Sequence, residues 1–310
     1  MNAGDRRKAN MSVFPHSYDQ YDMANGLRVI TVPAPFGQVA SLFIVVSVGS
    51  RNEVEPGRSG FAHFFEHMMF RGTPAYPPER YEASIQACGA SSNAYTDDDR
   101  TVYHTTLASE DFESLMAMEA DRFQHLSYPV EAFRTEALAV LGEYNKDSAE
   151  PVNKLQEVLR DTAFDVHTYK HTTMGFLRDI ERMPGMYDYS LSFFDRHYRP
   201  EYTTLVVVGD VDPAGVRAMA ENYWGGWGKG AWKADPLPEP APQGPREAAI
   251  VWPSHTLPYQ LIGFRAPAYS DTKRDSAALD LVAYLGFGED SELFADLVLD
   301  KQWVDLLWAS

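Results

Sequence analysis

The chain of 310 residues holds a single cysteine, Cys88, which excludes an internal disulfide framework and a cysteine-rich metal site. It also lacks any apolar run long enough for a membrane helix, and its opening stretch, MNAGDRRKANMSVFPHSYDQ, has basic residues without the apolar segment of a signal sequence. Basic residues are scarce: 27 Lys and Arg stand against 44 Asp and Glu, a formal net charge of −17. No basic patch interrupts that excess, which argues against nucleic-acid partners, because phosphate contacts need one. The acidity favours neutral or cationic partners, or simply keeps the surface soluble. The expectation is a soluble chain without membrane contact, with cytoplasm and periplasm both left open. Against these absences, 45% hydrophobic residues and 13% aromatics are ample for a core, and the length suits one large or two medium domains.

The most informative stretch is Ser59 to Thr73, SGFAHFFEHMMFRGT. Ser59 can cap a helix start, Gly72 can end it, and the residues between tolerate a helix. His63, Glu66 and His67 then stand at i, i+3 and i+4, on one face. The rest of the helix is apolar (Phe61, Ala62, Phe64, Phe65, Met68, Met69, Phe70), so it reads as buried. A buried cluster of two imidazoles and a carboxylate is most simply satisfied by a metal ion. The pattern H-x-x-E-H is the inverse of the H-E-x-x-H zinc helix, with two His ligands and a Glu as base; alone it arises by chance in about one chain per hundred of this length. A catalytic zinc needs a third protein ligand from elsewhere.

Along the chain, Tyr18 to Val32 carries Asn25-Gly26, a hairpin signal. Ala40 to Val48 is almost continuously apolar, as in a strand covered on both faces. Glu79 to Ala87 reads as a helix, and Ser91 to Thr96 and Thr101 to Leu107 as strands joined by Asp97-Asp98-Asp99, taken as a solvated turn because it lacks the spacing of a calcium loop. A helix capped by Ser109 runs to about Leu126. Another has Pro129 at its first position and passes Tyr144, with further helices near Val152 to Ala163, Tyr187 to His197 and Pro213 to Tyr223, and a strand at Thr203 to Val208. This order predicts an α+β fold, a mostly antiparallel sheet with helices packed on one face. The Pro-rich stretch DPLPEPAPQGPRE reads as a linker at 235–247 between a first domain, 1–234, and the start of a second similar domain, 248–310, with a strand pair at Ala248 to Phe264 and a helix at Ser276 to Leu285.

The helix from Pro129 carries Glu136 and Glu143, seven residues apart and therefore on one face, about 10 Å apart along the axis. With Glu143 standing 76 residues after His67, the set HFFEHMMFRGT plus two glutamates resembles the pitrilysin/insulinase family of zinc metallopeptidases. GSRNEVEPGRSGFAHFFEHMMFRGT, GASSNAYTDDDRTVYH and FFDRHYRPEYTTLVVVGDVD agree, and the resemblance runs from about Tyr18 onward. It implies that His63, His67 and Glu143 bind Zn2+, that Glu66 is the general base, that Glu136 supports the site without ligating the metal, and that Asn93 and Ala94 pair with the substrate backbone. It implies hydrolysis of unfolded peptides, and a second peptidase-like chain or a homodimer completing the chamber. The rival reading is a peptide-binding or partner-dependent subunit of the same fold with little activity alone. His167 and His171, at i, i+4, have no acidic ligand following them and are set aside as ligands; His104 reads as a structural histidine.

Overall fold

A computed structural model describes residues 14–35, 37–270 and 272–309. It divides into two compact units, residues 1–261 and 262–310. The first is built on six strands: β1 (Asp19–Asp22), β2 (Arg28–Pro33), β3 (Val39–Val46), β4 (Ser91–Thr96), β5 (Thr101–Ala108) and β6 (Thr203–Gly209). They lie in the order β1-β2-β6-β3-β5-β4, with every neighbouring pair antiparallel except β2 and β6. The expected Asn25-Gly26 turn joins β1 to β2, with Gly26 at φ +90°.

Helices of this unit are α1 (Phe61–Met68), α2 (Pro78–Ala87), α3 (Phe112–His125), α4 (Val130–Asp147), α5 (Pro151–Ala163), α6 (Leu177–Ile180), α7 (Tyr187–His197) and α8 (Pro213–Trp224). On β3, Ala40, Leu42, Ile44 and Val46 are buried in the core, whereas Ser41, Phe43 and Val45 on the opposite face are only half-buried. Among the described residues the strand is therefore covered fully on one face, not two. Its near-continuous apolar run reflects its central place between β6 and β5, where Phe43 and Val45 on the half-buried face lie beside His104 and Val102 of β5 and Val206 and Thr204 of β6.

Three helix starts differ from expectation. Ser59 does not cap α1: its hydroxyl donates to Asp179 Oδ2 at 2.7 Å and accepts the Phe176 N–H at 2.8 Å. Gly60 occupies the cap position at φ +92°, where a side chain would meet the Met174 carbonyl, and the Glu53 carboxyl takes the N–H groups of Gly60 and Ala62 instead. Ser109 opens a 3-10 turn, Ser109–Asp111, ahead of α3 without a capping bond. Pro129 lies just before α4 as its N-cap residue, not at the first helical position.

The Pro-rich stretch is held rather than free. Glu239 accepts the backbone N–H groups of Asp165, Val166 and His167, and Arg246 forks onto Asp165. Residues 248–264 contain no strand. A pair of strands needs more than its own two backbones to be stable, and this segment joins no sheet among the described residues. The second unit contains α9 (Asp275–Phe287), spanning the helix expected there, and the short α10 (Glu292–Phe294), whose start is capped by Ser291.

Candidate metal centre and catalytic site

Helix α1 is held by its aromatic side chains. These pack on two helices: Phe64 on Phe133 of α4 at 5.1 Å, and on α7 Phe65 stacked on Phe193 at 5.2 Å with Phe61 edge-on to Tyr189 at 4.7 Å. Its C-terminal end continues through a 3-10 turn, Met69–Arg71, and closes at Gly72 with φ +81°. A Cβ on Gly72 would lie 2.5 Å from the Tyr76 carbonyl oxygen, so the turn that ends the helix requires glycine, as the sequence indicates.

The remaining face presents His63, Glu66 and His67 to α4. His63 Nε2 and His67 Nε2 stand 3.3 Å apart, and Glu143 Oε2 lies 3.6 Å from the first and 3.5 Å from the second. Among the described residues, these are the His, Cys, Asp or Glu side chains grouped closely enough to hold a metal ion. The triangle suits zinc: tetrahedral ligands at the usual Zn–N and Zn–O lengths stand about 3.3–3.4 Å from one another. His63 is 8% exposed, its Nδ1 has no partner, and burial followed by the neighbouring His67 pushes its pKa down to about 4, so it is a neutral imidazole. Two ring nitrogens at hydrogen-bond distance need a cation or a proton between them, and the donor set fits the metal.

Glu136 approaches the same group from behind. Only 4% exposed, it accepts from His67 Nδ1 at 2.9 Å through Oε1 and from Arg71 through Oε2. Burial works to raise its pKa, but the bonds from His67 and Arg71 overcome that and hold the carboxyl below its usual range. The His67 pKa is raised, chiefly by that bond to Glu136. The two glutamates thus divide their tasks by position along α4: Glu143 reaches the Nε2 side of the imidazoles and Glu136 the Nδ1 side of His67.

Glu66 stands beside the triangle, with Oε2 accepting from Thr96 Oγ1 at 2.6 Å. Its pKa is raised by burial, with the Thr96 bond acting in the opposite direction. Thr96 is the last residue of β4, an edge strand whose outer side is unpaired in the sheet. On that strand Asn93 is exposed and Ala94 half-buried, and the Ala94 N–H is taken at 2.9 Å by Asn93 Oδ1.

The acidic turn between β4 and β5 is open to solvent at Asp97 and Asp99, as expected, and is also tied down. Asp98 receives a guanidinium fork from Arg160 of α5 and the Ser50 hydroxyl, and Asp99 receives the Tyr169 hydroxyl at 3.0 Å and pairs with Arg51. The turn is partly enclosed because α5 and the following loop close over it, which fixes the edge strand. His167 accepts the Tyr169 N–H and His171 bonds the Thr172 carbonyl, both outside the metal group, and His104 stacks on Phe43. Thr96, Arg71 and Glu53 escaped the sequence reading. Arg71 alone had a local signal, the i, i+4 spacing from His67.

Residues 28–176 match the family described as Insulinase (Peptidase family M16), and residues 187–310 match the Peptidase M16 inactive domain. The zinc protease PqqE of Helicobacter pylori is 28% identical over 292 residues, covering 92% of this chain and 64% of that protein. A probable mitochondrial-processing peptidase subunit beta of Schizosaccharomyces pombe is 28% identical, covering 66% of this chain and 44% of its own length. The crystal structure of a protease from Helicobacter pylori superposes with a TM-score of 0.84 at 26% identity, over 95% of this chain and 71% of that one. The chain spans no more than 64% of the length of the first curated relatives it matches. With the first match carrying the His-Glu-His helix and the second, of the same family, following it along the chain, the chain belongs to the insulinase family, peptidase family M16.

Proposed function

We propose that the chain is a zinc metallopeptidase that hydrolyses peptide bonds in extended, unfolded peptides. The observation that carries this reading is the convergence of His63, His67 and Glu143 within 3.6 Å of one another, beside a half-buried Glu66. Zinc in that triangle supplies a Lewis acid that polarises a carbonyl and acidifies water. His63, His67 and Glu143 hold it, and Glu136 fixes the ring of His67 through Nδ1. Glu66 takes a proton from the attacking water as the new C–O bond forms, then delivers it to the leaving nitrogen as the C–N bond breaks.

The edge strand β4 supports the substrate assignment. A peptide strand added to its open side would be held by main-chain bonds with little demand on sequence, and the Ala94 N–H would exchange Asn93 Oδ1 for a substrate carbonyl. The Thr96–Glu66 bond ties the end of that strand to the base. We assign the peptidase domain to 1–234, the linker to 235–247, and the start of a second domain to 248–310. A relative named as a subunit supports a second peptidase-like unit, in a partner chain or a second copy, closing over the site.

The test is mass-spectrometric cleavage of a mixed set of unstructured peptides, with Glu66→Gln as the control. Cleavage that disappears in the control supports the reading. Absence of cleavage by a zinc-loaded wild-type chain, alone and with candidate partner chains, counts against peptidase activity and favours a peptide-binding subunit.

A further inference from the structure

Arg71 stands four residues after His67, and the two side chains end on one carboxylate. Glu136 Oε1 takes the His67 Nδ1–H at 2.9 Å, while Glu136 Oε2 takes Arg71 Nε at 2.7 Å and a second bond from Arg71 Nη2. A guanidinium is planar and permanently charged, so its two N–H groups converging on Oε2, with the His67 Nδ1–H on Oε1, constrain the carboxylate's rotation as well as its charge. Glu136 is buried, Glu66 and Glu143 also act on His67 from nearby, and the Arg71 guanidinium meets the one of these carboxyls that takes the Nδ1–H. The backbone presents Arg71 in one direction because the next residue, Gly72, is locked at φ +81° against Tyr76 and Pro78.

We propose that Arg71 is a positioning residue for the metal ligand His67: by clamping Glu136 it keeps the imidazole proton on Nδ1 and the Nε2 lone pair aimed between His63 and Glu143. The inference rests on the zinc reading above. A carboxylate free to rotate about its last bond would release His67, whose ring otherwise meets His63, edge-on at 4.7 Å, and Glu143 Oε2, at 3.5 Å from Nε2.

The experiment is zinc affinity by competition with a chromophoric chelator, for the wild type, Arg71→Met, Arg71→Lys, Glu136→Gln and the double variant Arg71→Met/Glu136→Gln, each checked by circular dichroism. The expected result is about tenfold weaker zinc binding in Arg71→Met, the lower end of what loss of an outer partner costs a metal site. Arg71→Lys, a charge without the fork, recovers part of it, and Arg71→Met adds nothing once Glu136 is Gln. Unchanged affinity in a folded Arg71→Met, or additive losses in the double variant, overturns the inference while leaving the zinc site intact. If Arg71→Met fails to fold, Arg71→Lys decides: weakened zinc binding supports the clamp and wild-type affinity overturns it. A wild-type chain that takes up no stoichiometric zinc sinks the zinc reading and this inference with it.

Discussion

Thr96, at the end of the edge strand, donates its hydroxyl to Glu66 Oε2 at 2.6 Å, so the strand that can receive a peptide and the carboxylate that can move its proton are joined by one hydrogen bond. Burial raises the Glu66 pKa and this bond draws it back. Thr96→Val keeps the shape of the side chain and removes the donor. A hydrogen bond to a charged group is worth about 1.5–3 kcal/mol, so kcat should fall by about tenfold or more with zinc content unchanged. Equal kcat for both proteins would show that Thr96 only packs.

Glu143 and Glu66 should separate cleanly in two measurements. Glu143 Oε2 lies within 3.6 Å of both imidazole Nε2 atoms, whereas Glu66 bonds Thr96. Glu143→Gln should therefore weaken zinc binding, by about 10-fold or more, because a neutral amide replaces an anionic ligand. Glu66→Gln should retain zinc and lose hydrolysis. Atomic-emission metal analysis after dialysis, alongside peptide cleavage, decides it. Equal metal loss in both variants would overturn the division of roles.

Glu53 makes stability depend on pH. Its side chain is fully buried against the start of α1, bonded to the Gly60 and Ala62 N–H groups, and burial pushes its carboxyl from 4.5 up to about 8. Between those values the native chain keeps a proton that the unfolded chain has lost. Its contribution is thus fully present below about 4.5 and is lost as pH rises through about 8. Melting temperatures measured with a chelator from pH 6 to 9 should fall in the wild type and fall less steeply in Glu53→Gln. That variant should be about 1–3 kcal/mol less stable at pH 6, because a protonated carboxyl still offers an oxygen lone pair to each of the two N–H groups and an amide offers one to only one of them. Parallel pH slopes would remove Glu53 as the cause.

What could be read from the residues in order follows from periodicity. The i, i+3, i+4 spacing put His63, Glu66 and His67 on one face, and the seven-residue spacing put Glu136 and Glu143 on another, because both depend only on the pitch of a helix. The strand and helix succession, and with it the α+β class, was legible for the same reason. The strand pair expected at 248–264 was not found, since a strand is defined by a neighbour that the local pattern cannot supply.

By itself the sequence determined which side chains share a helix face, where the chain must turn, and the family to which the whole pattern belongs. Tertiary structure alone decided who faces whom. Glu53 displaces Ser59 as the cap of α1, Thr96 reaches Glu66 across 30 residues, and Arg160 encloses Asp98 from 62 residues away. It also separated the two glutamates of α4 into one beside the Nε2 triangle and one clamped between His67 and Arg71. The physical reason is that helix pitch is a property of consecutive residues, whereas these hydrogen bonds depend on packing between elements whose approach no local pattern records.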